Sequence, residues 1–98
     1  LKNLYLNNNN NLILNDKQFT NLTSLELLDL RYCNLKTINR SMFSDLIKIN
    51  TLYLSNNIIT TIEDRSFENL SNLKKLSLNN NKLQIIRSIW FKNMHLNN

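Results

Sequence analysis

The feature that most constrains this chain is a period. The stretches LNNNNNLIL (6–14), LRYCNLKTI (30–38), LSNNIITTI (54–62) and LNNNKLQII (78–86) each begin 24 residues after the last. Leu1, Leu25, Ile49 and Leu73 open four units, 1–24, 25–48, 49–72 and 73–96. Apolar residues then fall in fixed columns. The fourth is Leu4, Leu28, Leu52 and Leu76, and the sixth is Leu6, Leu30, Leu54 and Leu78. The fourteenth is Leu14, Ile38, Ile62 and Ile86. The nineteenth is Phe19, Phe43, Phe67 and Phe91, and the twenty-second is Leu22, Leu46, Leu70 and Met94. A fixed period of this length is the signature of a solenoid, in which one unit cannot bury its apolar face without its neighbours.

The leucines of columns four and six alternate with polar positions, which is the period of a strand. Four such strands joined by long crossovers are expected to lie parallel. The return segments show no long helical period, so loops, short strands or single 3₁₀ turns are expected there. The chain holds no Gly and no Pro. Its turns must therefore be made by Asn, Asp and Ser, which cap locally or tolerate the left-handed region. Stacked columns are the expected source of stability, at about 25 cal/mol per Å² of apolar area buried.

The ninth column is Asn9, Cys33, Asn57 and Asn81. It falls where the chain leaves the strand and backbone groups lose their sheet partners. An amide with two donors and one acceptor oxygen can serve its own turn and the neighbouring coil. The other asparagines of the opening run, Asn7, Asn8 and Asn10, read as surface and turn residues in variable columns. Column eleven is apolar in Leu35, Ile59 and Leu83 but polar in Asn11. A buried Asn there is unfavourable without partners, so a local bulge that turns Leu12 inward is expected.

These columns resemble the leucine-rich repeat consensus L-x-x-L-x-L-x-x-N/C-x-L, and the resemblance spans the whole chain. A 24-residue unit ending F-x-x-L, as in LSNNIITTIEDRSFENL (54–70), is similar to the subclass typical of extracellular proteins such as Toll-like receptors, slit-like guidance proteins and small proteoglycans. It implies an α/β-type repeat solenoid, a right-handed horseshoe arc with a parallel β-sheet on its concave face and loops or short 3₁₀ turns on its convex face. Extracellular relatives are usually sealed by cysteine-rich caps. None is seen here, so a fragment lacking both caps is expected. Four strands exposing six residues each offer a concave face on the order of 400 Å², about half the roughly 800 Å² per partner of a standard interface.

The resemblance also implies that the concave face binds. The residues expected to point outward there include Tyr5, Leu27, Asp29, Arg31, Tyr32, Thr51, Tyr53, Ser55 and Lys75. Tyrosine and arginine are enriched where interfaces carry their energy. The partner-binding set is therefore Tyr5, Leu27, Asp29, Arg31, Tyr32, Tyr53 and Lys75; the alternative is that strands simply favour aromatics and that Asp29 and Arg31 pair with each other on the surface. Leu27 is an apolar residue in an outward column.

The net charge is +5, and the fourth unit alone carries that much, in Lys74, Lys75, Lys82, Arg87 and Lys92. This set reads as a solvated face or as a patch for an anionic partner such as a glycan or an acidic protein; no nucleic acid is expected. Cys33 is the one cysteine, which rules out an internal disulfide and fits a buried thiol. His95 has no Cys or His at metal-ligand spacing and is expected to be exposed. Glu63, Asp64 and Arg65 read as a solvated cluster on the return side, and Trp90 as a shield for the end of the array or a contact for a following unit. No nucleophile–base pair, phosphate loop or metal motif is present. Neither an enzymatic role nor a cofactor is therefore expected.

Three sequons occur, at Asn21, Asn39 and Asn69, all on the return side. With 21 Asn and 14 Ser plus Thr in 98 residues, chance alone predicts about three, so only their placement is informative. The expectation is a protein-recognition module in the ectodomain of a secreted or cell-surface receptor, such as an innate immune receptor. A membrane connection would come only through further parts of the chain. The alternatives are a cytoplasmic repeat scaffold and an array that targets an attached catalytic domain.

Overall fold

A computed structural model describes residues 1–15 and 17–91. Lys92, Met94 and His95 lie outside the described residues. Six short strands form two parallel sheets. The larger sheet takes one strand from each unit, in the order β1 (Asn3–Tyr5), β2 (Leu27–Asp29), β4 (Thr51–Tyr53) and β6 (Lys75–Ser77). Its register is a strict 24-residue offset, with Leu4, Leu28, Leu52 and Leu76 side by side. The smaller sheet pairs β3 (Thr37–Ile38) with β5 (Thr61–Ile62), Ile38 beside Ile62. The return side is otherwise turns and one 3₁₀ segment, Ser88–Phe91. No α-helix occurs among the described residues. The fold is the expected leucine-rich repeat solenoid.

The columns face inward as their period dictates. Leu28, Leu30, Leu52 and Leu54 are fully buried, whereas Leu4, Leu6, Leu76 and Leu78 in the outer coils are half-buried. Phe19, Phe43 and Phe67 stack on the far side, with centroids 6.3 Å apart at both steps. The fourth coil departs from the pattern. Ile86 is 61% exposed rather than buried, and Phe91 is only half-buried. Trp90 enters the core instead, at 4% exposure, with Phe91 edge-on to it at 6.2 Å. It is the shield the sequence suggested, and its indole N–H is buried without a hydrogen-bond partner among the described residues. In the first coil Asn11 is exposed while Leu12 packs against the core, which is the expected bulge.

The ninth column is a ladder in its middle coils. Asn57 Oδ1 accepts the Cys33 and Leu35 N–H groups at 2.8 and 3.1 Å. Its Nδ2 donates to the carbonyls of Leu30 and Leu54, both at 2.9 Å, and of Ser55 at 3.3 Å. Asn81 repeats the scheme with Ile59 N–H, Leu54 O and Leu78 O. The Cys33 thiol donates to Leu6 O at 3.1 Å. Cys33 is buried and free, and burial pushes its thiol pKa up. Asn9 differs: it is exposed, and its amide donates only within its own turn, to Leu6 O.

The neighbouring column corrects the sequence reading. Asn8, Tyr32, Asn56 and Asn80 all adopt positive φ, between 58° and 65°. The turn out of every strand of the larger sheet therefore passes through the left-handed region. Asn takes that region at low cost, because its short amide bonds locally. The opening run thus holds two asparagines with fixed roles: Asn8 bends the backbone, and Asn9 bonds it.

A second set of bridges runs along the return side. Asn69 and Asn72 donate to the carbonyls of Ser44 and Ile47, each at 3.1 Å. Asp45 accepts the Asn21 N–H, and Glu63 accepts the Arg40 N–H. In every coil-to-coil bond named here between a side chain and a backbone group, the side chain belongs to the later coil.

Candidate concave interface

The central part of the larger sheet builds a small polar cluster on its outward face. The register sets Tyr5, Asp29, Tyr53 and Ser77 in one lateral row. Asp29 lies between two tyrosines and under an arginine two residues further along the chain. Strands in a sheet are about 4.8 Å apart, so large neighbours on both sides cover a short carboxylate. Asp29 is accordingly 1% exposed, and the expectation that it pairs with Arg31 on the open surface is corrected. The pair exists, but its acid is buried.

The pairing is a fork. Arg31 Nε donates to Asp29 Oδ1 at 3.0 Å and Nη2 to Oδ2 at 2.7 Å, while the Arg31 backbone N–H also donates to Oδ1 at 3.1 Å. Burial raises the Asp29 pKa, but these hydrogen bonds and the guanidinium charge outweigh it, and the carboxyl is held below the usual range. Three donors on one carboxylate explain the sign. The guanidinium carbon stands 5.0 Å from the Tyr53 ring centroid, a cation–π distance. Arg31 is thus fixed on two sides, with 42% of its side chain still open to solvent.

The remaining predicted residues divide. Tyr5 and Tyr32 are 59% and 49% exposed, Lys75 is exposed, and Leu27 and Tyr53 are half-buried. Thr51 and Ser55, expected on the surface, are buried at 8% and 5%. They are small residues between larger cross-strand neighbours, so they fall below the rim that their neighbours make. Tyr32 is a large side chain held at φ 58°. That region costs a non-Gly residue roughly 1–3 kcal/mol. Asparagine fills the same column in the other three coils, so the bulky ring is the costly choice there.

The described basic residues of the fourth unit divide between the two sides of the coil. Arg87 pairs with Asp64, Nε to Oδ1 at 2.9 Å, on the return side. Arg87 and Lys82 line one cavity there, of about 430 Å³, with Thr60, Thr61, Gln84 and Trp90. Only Lys74 and Lys75 stand on the strand side. Glu63, Asp64 and Arg65 are all exposed on the return side, and they also serve the structure: Glu63 accepts the Arg40 N–H, Asp64 pairs with Arg87, and Arg65 sits at φ 69°. Of the sequon residues, Asn21 and Asn69 are exposed. Asn39 is half-buried, and its Oδ1 accepts from Ser41 Oγ and the Met42 N–H. Among the described residues no group of three or more His, Cys, Asp or Glu side chains could hold a metal ion. No described helix is long and apolar enough to cross a membrane.

Comparison with known proteins agrees with this architecture. The Leucine rich repeat family profile matches residues 1–57 and 47–97. Among solved structures, the chain is similar to one in the Toll–Spatzle complex of Drosophila, described as a hub in development and innate immunity. It shares 34% identity with a TM-score of 0.86, covering 98% of this chain and 14% of that one. A glycosylated form of the same complex gives 33% identity and a TM-score of 0.84, covering 96% and 14%. The chain therefore spans about one seventh of the length of those relatives. No curated protein sequence matches it significantly. The repeated columns, the parallel sheet and the matched profile together place this chain in the leucine-rich repeat family.

Proposed function

We propose that this chain is a non-catalytic protein-recognition segment of the ectodomain of an extracellular or cell-surface receptor, of the innate immune kind to which Toll belongs. The observation that carries the reading is Tyr32. A half-exposed aromatic ring is held in the left-handed region, where asparagine would serve the fold better, beside a prearranged Asp29–Arg31–Tyr53 cluster. Backbone strain kept next to exposed aromatic and guanidinium groups supports a contact role. The mechanism is display. The sheet holds Tyr5, Leu27, Arg31, Tyr32, Tyr53 and Lys75 in place, so little ordering entropy is lost on docking. The similarity to structures in which Toll is complexed with Spatzle supports a protein ligand.

The test is biolayer interferometry of the full chain against recombinant Drosophila Spatzle, beside a Tyr32→Ala/Tyr53→Ala variant. Saturable binding that weakens at least tenfold in the variant is expected. Absent binding, or equal binding by both chains, would retire the reading. The extracellular placement has its own check. Expressed through the secretory pathway of insect cells, the chain is expected to carry a glycan at Asn21, whose side-chain amide makes no hydrogen bond among the described residues. Peptide mass spectrometry reads this directly.

A further inference from the structure

We infer that the concave face beside the last strand recognises a carboxylate side chain, an Asp or Glu of the protein partner, at a pocket walled by Tyr53, Lys75, Leu76 and Ser77. The inference rests on the protein-recognition reading and names the chemistry of one contact within it.

Charge complementarity is the first argument. The acids on the concave face are already matched inside the chain: Glu26 faces Lys2 at 3.8 Å, and Asp29 is forked by Arg31. Lys74 and Lys75 make no ion pair among the described residues. The face therefore shows a surplus of positive charge localised at β6. The partner group that fits is anionic.

The pocket is the second argument. It is an open depression of about 310 Å³ against the edge strand, large enough for a carboxylate and its stem. Its walls offer the exposed Lys75 ammonium, the Tyr53 phenol and the Ser77 hydroxyl. Ser77 Oγ is buried without a hydrogen-bond partner among the described residues. An unpaired buried hydroxyl is unfavourable, and rotation about χ1 turns it toward an arriving acceptor.

A sulfated glycan is the competing anion, and the layout disfavours it. Such a chain needs a row of cations, but Lys82 and Arg87 line another cavity on the return side, where Arg87 pairs with Asp64. Two lysines and one pocket suit a single carboxylate.

The test is a ¹⁵N-HSQC titration of the full chain with the capped peptide Ac-Gly-Glu-Gly-Glu-Gly-NH₂, its Gln counterpart and a heparin hexasaccharide. The Glu peptide is expected to shift the amides of Tyr53, Lys75 and Ser77, with the Gln peptide at least fivefold weaker. Lys75→Glu should abolish the shifts while leaving the rest of the spectrum unchanged, because Lys75 is exposed. Equal shifts from both peptides, or no shifts, would overturn the inference. So would heparin acting on these amides tenfold more tightly than the Glu peptide, which would assign the site to a glycan. The Spatzle measurement separates the two levels. If Tyr32→Ala/Tyr53→Ala weakens binding but Lys75→Glu and the peptide do nothing, the carboxylate site fails and the recognition reading stands.

Discussion

Asn57 and Asn9 hold the same column of the repeat and do different work. Asn57 is 6% exposed and its side chain makes five hydrogen bonds, three of them to the preceding coil. Asn9 is exposed and makes one. The same contrast separates Leu52 from Leu4 and Phe43 from Phe91. A consensus residue thus has no fixed energetic worth. Its contribution comes from having a coil on either side, as nearest-neighbour stacking requires.

That contrast can be tested by mutation, beginning with the aromatic column. Phe43 is fully buried between two stacked rings, so Phe43→Ala is expected to cost about 3–5 kcal/mol, enough to unfold a small domain. Phe91→Ala should cost well under half as much by urea denaturation. Equal costs would mean that the outer coil is as tightly packed as the middle. Next, Asn57→Ala strands two N–H and two C=O groups, each worth roughly 1–3 kcal/mol if left dry. Asn9→Ala should stay within about 0.5 kcal/mol, as exposed sites do.

Tyr32→Asn should move the other way. Relief of left-handed strain is expected to stabilise the fold by about 1 kcal/mol while weakening partner binding. A destabilised variant would show that the ring is held for packing rather than for contact. The smallest effect is on acid stability. The Asp29 carboxyl titrates lower in the folded chain than in the unfolded one, where its pKa is about 4. Its stabilising contribution is therefore complete above that value and is lost as pH falls through the lower folded value. Urea midpoints measured from pH 6 downward should fall less steeply in Asp29→Asn than in the parent chain.

The inward columns, the parallel sheet and the ladder at Asn57 and Asn81 were legible because period two within a strand and period 24 along the chain both leave marks in one dimension. The burial of Asp29 was not. It depends on Tyr5 and Tyr53, each 24 residues away, and on the reach of Arg31, so alternation alone put the carboxylate in solvent. Thr51 and Ser55 failed for the same lateral reason. The left-handed column could have been found: asparagine at 8, 56 and 80 was the signal, and Tyr32 obscured it. The return-side bridges from Glu63, Asn69 and Asn72 were not read because they come from three different columns, none of which the apolar period marks.

The bridges share a direction with a temporal consequence. Cys33 serves the first coil, Asn57 the second and Asn81 the third, while Asp45, Glu63, Asn69 and Asn72 likewise reach back. A ribosome releases the chain from its N-terminus at about 5–20 residues per second. Each 24-residue coil therefore waits roughly 1–5 s, at that rate, for the side chains that close its turn. Until then its strand exit is an open seam, and a nascent-chain chaperone would find its substrate there, one coil behind the exit tunnel.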